Sequence, residues 1–271
     1  MKRLPVWYLP HGGGPWNALA DSSGDAEGYA ALAAWLAGFG AAALASGARS
    51  ILAISAHWEE PKPTVHFGAR PGMLYDYGGF PEHTYHLKWP APGDPALASR
   101  VAELLSAAGF KTGSEFLRGY DHGIFVPLMV AFPEPKLPLA QLSLVRGLDP
   151  VLHYDIGRAL APLRDEGVLV VGSGMSYHNL REFFSGDPAV AEVSDAFDAW
   201  LAKSVAIADP GRRREALVNW MTAPNALECH PRSEHLLPLH IVAGAAGSDA
   251  GRAAFKGRLM GAAISAFVFG D

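Results

Sequence analysis

Gly167–Asn179, GVLVVGSGMSYHN, is the stretch that decides the fold class. Val168–Val171 is an unbroken apolar run with no polar alternation, as expected of a strand buried on both faces. It closes in Gly-Ser-Gly, and His178 follows. Strands buried on both faces belong to α/β sheets covered by helices on each side. In such sheets ligands bind in the crevice beyond the strand ends. An imidazole at that exit is not required by packing.

Other segments repeat the pattern. Residues 4–9 read as a buried strand ending at Pro10, and His11 then opens Gly12-Gly13-Gly14-Pro15. Ser50–Ser55 is the next strand, with His57 just past its end in SAHWEE. His230 and His235 lie in HPRSEH, where Pro231 bars a helix from running through His230. Histidines gathered at one rim read first as a metal site. The lone cysteine, Cys229, excludes a thiolate cage and an intrachain disulfide, and points to a reducing cytoplasm.

Between these segments the chain reads as helices over 27–46, 95–109, 150–165, 188–208, 212–222 and 236–246, with a further strand at 137–145. YDHGIFVPL (120–128) feeds an apolar helix, and LMGAAISAFVFGD (259–271) predicts a buried C-terminal helix. Residues 59–94 form a long aromatic-rich irregular stretch. Loops of that length usually serve function, and this one is expected to lie over the strand ends. With no repeat and no low-complexity linker, residues 1–271 predict a single domain. It is a three-layer α/β/α sandwich with a mixed, mostly parallel central sheet.

Composition narrows the partners. The chain of 271 residues is 49% hydrophobic and carries a net charge of −5, without a basic stripe. Nucleic acid is therefore not an expected partner, and Arg212–Arg214 after a Pro-Gly pair reads as a solvated helix start. No segment reads as a membrane span, and MKRLPVWYLP is too short and too proline-broken for a signal core.

Individually the candidates stay open. His11 reads as ligand or structural residue, and Gly12–Gly14 as a close-approach loop rather than a phosphate cradle. Glu59 and Glu60 read as exposed loop acids, as ligands, or as partners of His57. Asp121 and His122 read as a helix cap or a functional pair. His178 reads as base or ligand, and Ser173 lacks the flanking pattern of a nucleophile elbow. His240 reads as a core residue; His66, His83, His86 and His153 read as loop or helix-surface residues.

Six segments in order resemble the DODA-type extradiol ring-cleaving dioxygenases, within the superfamily of the protocatechuate 4,5-dioxygenase catalytic subunit. They are PHGGGP (10–15), SAHWE (55–59), YGGFPEHTYHLKWPAPGDP (77–95), YDHGIFVPL (120–128), GSGMSYHNL (172–180) and HPRSEHLLPLHIVAGAAG (230–247). The resemblance implies one divalent metal, iron(II) for activity or zinc(II) as bound, held by His11, His57 and His235. His230 is the second choice for the third ligand. It further implies His178 as acid/base, His122 on the substrate or its developing anion, and a small aromatic diol and O2 as reactants. Better-known members of the superfamily use two histidines and a glutamate. Here His235 stands where the carboxylate would come, with Glu234 beside it. Phe125 replaces a usual tryptophan, and Met175 and Tyr177 are individual to this chain.

Two rivals use the same imidazoles. A zinc hydrolase would place water at the fourth position, with Glu59 or Glu234 as base. A metal-stabilised binding protein would turn nothing over. Arg181 and Arg232 are candidates to meet a substrate carboxylate.

Overall fold

The computed structural model describes residues 3–19 and 24–271. Among these, eight strands form one mixed sheet in the order β4-β3-β5-β2-β6-β1-β8-β7. They are β1 (Val6–Pro10), β2 (Ser50–Glu60), β3 (Thr64–His66), β4 (Gly113–Glu115), β5 (Leu139–Val145), β6 (Val168–Gly174), β7 (Gly251–Leu259) and β8 (Ala262–Phe269). The central block β5-β2-β6-β1 is parallel; β3 joins β5, and β8 joins both β1 and β7, antiparallel. This is the predicted α/β class.

Residues 172 and 173 of β6 show the layering, because neighbouring strand residues face opposite sides. A Cβ on Gly172 would meet the Pro238 carbonyl of α9 (Leu237–Ala246). The Ser173 hydroxyl donates to the Gly123 carbonyl in α3 (His122–Ala131) on the other side. With α9 lie α2 (Pro95–Ala107) and α4 (Pro150–Leu160); with α3 lies α1 (Ala26–Ala45). The remaining helices are α5 (Leu180–Phe183), α6 (Ala189–Val205), α7 (Pro210–Val218) and α8 (Ala226–Cys229).

Helices α4 and α9 touch backbone to backbone. A Cβ on Gly157 would lie 2.0 Å from the Ile241 carbonyl oxygen, and one on Gly244 would lie 2.1 Å from that of Tyr154. Neither carbonyl can retreat without moving its helix. We therefore expect Gly157→Ala to destabilise the fold by about 3 kcal/mol, the upper part of the overpacking range. A urea melt reads this as a lower midpoint at unchanged slope. An unshifted midpoint would mean that the helices separate freely.

Three expectations are corrected. Residues 259–271 are not helical: β7 and β8 form a hairpin whose turn, Met260-Gly261, has φ of 51° and 86°. Positive φ at both turn residues suits the twist of a tight hairpin. Every residue of β8 is buried, and an apolar run buried on both faces looks the same as a core helix in sequence. Second, β2 does not stop at Ser55 but runs to Glu60, so His57 sits inside it, where the register with β5 shifts between Ile54 and Glu59. Third, α1 is long and apolar enough to cross a membrane, with 20 residues and mean hydropathy 1.5. Its Tyr29, Leu32, Leu36 and Phe39 are buried in the core of this fold.

Candidate metal centre

The pairing along both edges of β6 ends nearly level, Pro10 beside Gly174 and Ser55 beside Ser173, while β2 itself runs on to Glu60. His11 extends the ladder by one bond, its N–H donating to the Gly174 carbonyl (3.1 Å). The chain then turns through Gly12, whose φ of +75° and contact with the Trp16 indole leave no room for a Cβ. The His57 N–H donates to Ser55 Oγ (3.1 Å), and Ser55 donates to the buried Asp121 (2.7 Å). Asp121 caps α3 by accepting from the Ile124 N–H and receives the Arg118 guanidinium (2.8 Å), which also donates to the His57 carbonyl (3.1 Å). Asp121 thus caps the helix, and the ring of His122, its first residue, lies against that of His57.

His235 arrives from the loop before α9. Its carbonyl accepts from the Tyr8 hydroxyl (2.7 Å) and from the Met175 N–H (3.1 Å), which ties it to β1 and to the end of β6. The His178 N–H donates to the Cys229 carbonyl (2.9 Å).

These tethers bring His11, His57 and His235 together, with one ring nitrogen of each within 4.8 Å of the others. The Nε2 atoms of His11 and His57 lie 3.3 Å apart. His11 Nδ1 donates to the Gly12 carbonyl (2.7 Å), and His235 Nδ1 donates to Glu234 (3.0 Å). A neutral imidazole carries one N–H, so both residues present an unprotonated Nε2. His235 Nε2 is buried with no hydrogen-bond partner, a costly state that a bound cation relieves. Burial pushes all three imidazoles well below their ordinary pKa. The other histidine charges add to this, and Arg118 also bears on His57. They are neutral at pH 7, as metal ligands must be. The donor set therefore fits a divalent ion.

Around this trio, His122 lies beside His57 (ring centroids 4.1 Å), and His178 stacks on His235 (3.3 Å, 13°). Asp76 accepts from His122 through its N–H (2.9 Å) and Nδ1 (2.8 Å). Burial opposes ionisation of Asp76, but the hydrogen bond and charge of His122 outweigh it, and its pKa is lowered. Glu234 behaves alike. Burial raises its pKa, but hydrogen bonds from His178 and the backbone and the charges of His178 and Arg232 bring it down. Tyr77 stands against His122 and Phe125, and the Phe80 ring closes over Gly14, where a Cβ would lie 2.6 Å from it. The segment around Tyr77–Tyr85 thus does cover the strand ends. Thr64–His66 of the same predicted loop is instead a strand.

Other candidates fall elsewhere. His230 is buried against Phe197 and Trp220 and donates to the Ser176 carbonyl (3.0 Å), outside the ligand trio. Glu59 is held by Arg232 (2.5 and 2.7 Å), and Glu60 accepts from the Trp58 indole (3.1 Å). Arg232 is thereby occupied, and Arg181 is exposed. His240 is a core residue, donating to the Leu217 carbonyl (2.8 Å). His83 and His86 are exposed, as read. His66 and His153 are buried, contrary to the surface reading; His153 accepts the Val145 N–H (3.0 Å) and donates to the Asp149 carbonyl (2.7 Å). A surface depression of about 740 Å³ beside Asp25, Phe184 and Arg258 contains none of the site histidines.

Asp76 was not singled out in sequence. It sits between two tyrosines in the aromatic stretch, and an acid flanked by aromatics is the only signal it leaves.

A three-layer α/β fold with imidazoles converging at its parallel strand ends has the build of a metal-binding enzyme. Residues 8–268 match the family of the catalytic LigB subunit of aromatic ring-opening dioxygenase, and the chain belongs to it. It is 43% identical over 202 residues to 4,5-DOPA dioxygenase extradiol of Beta vulgaris, covering 74% of each chain. To the Escherichia coli K12 protein of the same name it is 33% identical over 244 residues, 90% of this chain and 85% of that one. The crystal structure of an uncharacterized Escherichia coli K12 protein superposes with a TM-score of 0.77 at 29% identity, covering 99% of this chain and 100% of that one. The chain is accordingly an extradiol ring-cleaving dioxygenase, which sets aside the hydrolase and binding-protein readings.

Proposed function

We propose that the chain opens the ring of a catechol-type substrate, DOPA-like or otherwise substituted, with O2. The site is formed by His11, His57 and His235 around one divalent metal, iron(II) in turnover, with zinc(II) as an alternative occupant. The observation that carries this is the meeting of three neutral imidazoles, one with an orphaned buried Nε2. A bound iron(II) ion supplies the redox chemistry that links a diol to O2. Three neutral ligands leave its double charge to be balanced by the substrate, which favours a deprotonated diol.

The remaining steps belong to side chains. His178 takes a diol proton and later returns it, its Nδ1 facing Glu234 and its Nε2 left for the substrate. His122, with Nδ1 on Asp76, turns Nε2 toward the substrate, where it accepts from a diol hydroxyl. Tyr77 and Phe80 shield the ring from water. The relatives' printed names support a DOPA-like diol. The lone, buried Cys229 supports a cytoplasmic setting, and residues 1–271 act as one catalytic domain in this reading.

The test is anaerobic loading with iron(II), then a panel of catechols in air. Oxygen uptake together with a yellow ring-opened product is expected. A protein with bound iron that consumes no oxygen with any catechol overturns the proposal.

A further inference from the structure

Two carboxylates support the histidines in matched fashion, and an inference from them rests on the metal reading above. Asp76 directs Oδ1 to His122 Nδ1 (2.8 Å), while its Oδ2 lies 3.7 Å from Nδ1 of His57. Glu234 directs Oε1 to His235 Nδ1 (3.0 Å), and the same oxygen lies 3.4 Å from Nδ1 of His178. Each acid thus serves one imidazole of the ligand trio and one outside it. We infer that Asp76 and Glu234 are paired positioning residues, each aligning a metal-facing and a substrate-facing imidazole at once.

The physical reason is the single N–H of a neutral imidazole. A carboxylate at Nδ1 fixes the tautomer and aims the Nε2 lone pair away from itself. Nδ1 of His178 and Nδ1 of His235 face the same Glu234 oxygen and the rings stack at 13°, which leaves both Nε2 atoms on the side away from Glu234. The base is thereby set beside the metal position by the group that sets the ligand. Asp76 does this for His122 by a hydrogen bond and faces Nδ1 of His57 at 3.7 Å, the two rings lying 4.1 Å apart. Both acids are themselves held: the His122 N–H donates to Asp76 (2.9 Å), and Arg232 stands 3.3 Å from Glu234. His11 has no such acid, because its Nδ1 donates to the Gly12 carbonyl.

The experiment compares Asp76→Ala, Asp76→Asn, Glu234→Ala and Glu234→Gln in the full chain. Zinc(II) affinity is measured by competition with a chromophoric chelator, and kcat and KM are measured separately on iron-loaded protein. Each alanine variant is expected to bind zinc about 10- to 100-fold more weakly. At saturating metal, Asp76→Ala raises KM through His122, and Glu234→Ala lowers kcat through His178. The amide variants keep an acceptor oxygen and recover most of both losses. Where an alanine variant does not fold, the serine variant takes its place with the same expectation. Zinc affinity within threefold of the parent in either folded variant overturns the inference, as do amides no better than alanine. If the parent binds zinc but opens no catechol, ring opening fails as the reaction, and the zinc titration still decides the carboxylates.

Discussion

Replacing His178 by alanine lowers kcat by two to four orders of magnitude and leaves the metal bound. That range is what a positioned general acid–base group contributes. The expectation follows from where the ring lies. His178 stacks on His235 and converges with Glu234 and His235 rather than with the His11–His57–His235 trio, so its removal leaves that trio whole. Its Nδ1 faces Glu234, which leaves Nε2 for the substrate. Steady-state kinetics with metal analysis of the same preparation checks this. A His178→Ala protein purified without metal would make His178 a ligand, and one with parental kcat would leave the proton to another group.

The second large effect is on metal binding. His57→Ala and His235→Ala each weaken zinc or iron(II) affinity by more than the roughly 10- to 100-fold that loss of an outer partner costs. Two imidazoles cannot fix a tetrahedral or facial arrangement, and the remaining positions would fall to water. His235→Ala also removes the ring on which His178 rests, so its activity falls even when metal is forced in by excess. His230→Ala, although it also removes a buried imidazole, is expected to retain metal, because its ring contacts Phe197, Trp220 and the Ser176 carbonyl instead. Metal stoichiometry and competition titration separate the three. Full retention by His57→Ala would show that the ligand set lies elsewhere in the cluster.

Much of this was legible in the chain because it rests on local chemistry. The apolar run Val168–Val171 marked the central strand, and His11 and His178 stood out as polar residues where packing asks for none. Choosing His235 over His230 came from likeness to a family. Its physical cause, the tie of the His235 carbonyl to Tyr8 and Met175, spans over two hundred residues in one case and is invisible to a reading of spacing. The roles of Asp76 and Arg118 stayed hidden for the same reason: acids and bases in loops are common, and only the fold selects those that meet buried partners. The C-terminal hairpin was missed because burial on both faces erases the period that separates strand from helix. His153 was misplaced because its partners, a strand N–H and a cap carbonyl, come together only at the junction of β5 and α4.

The position of β1 between β6 and β8 has a consequence for the birth of the molecule. Val6–Pro10 is synthesised well before the partners on its two edges, residues 168–174 and 262–269. Until those arrive, an apolar strand travels with both edges unsatisfied, and pairings so distant along the chain close slowly. The nascent polypeptide must keep β1 shielded until residues 262–269 have been made, and maturation of the catalyst waits on β8.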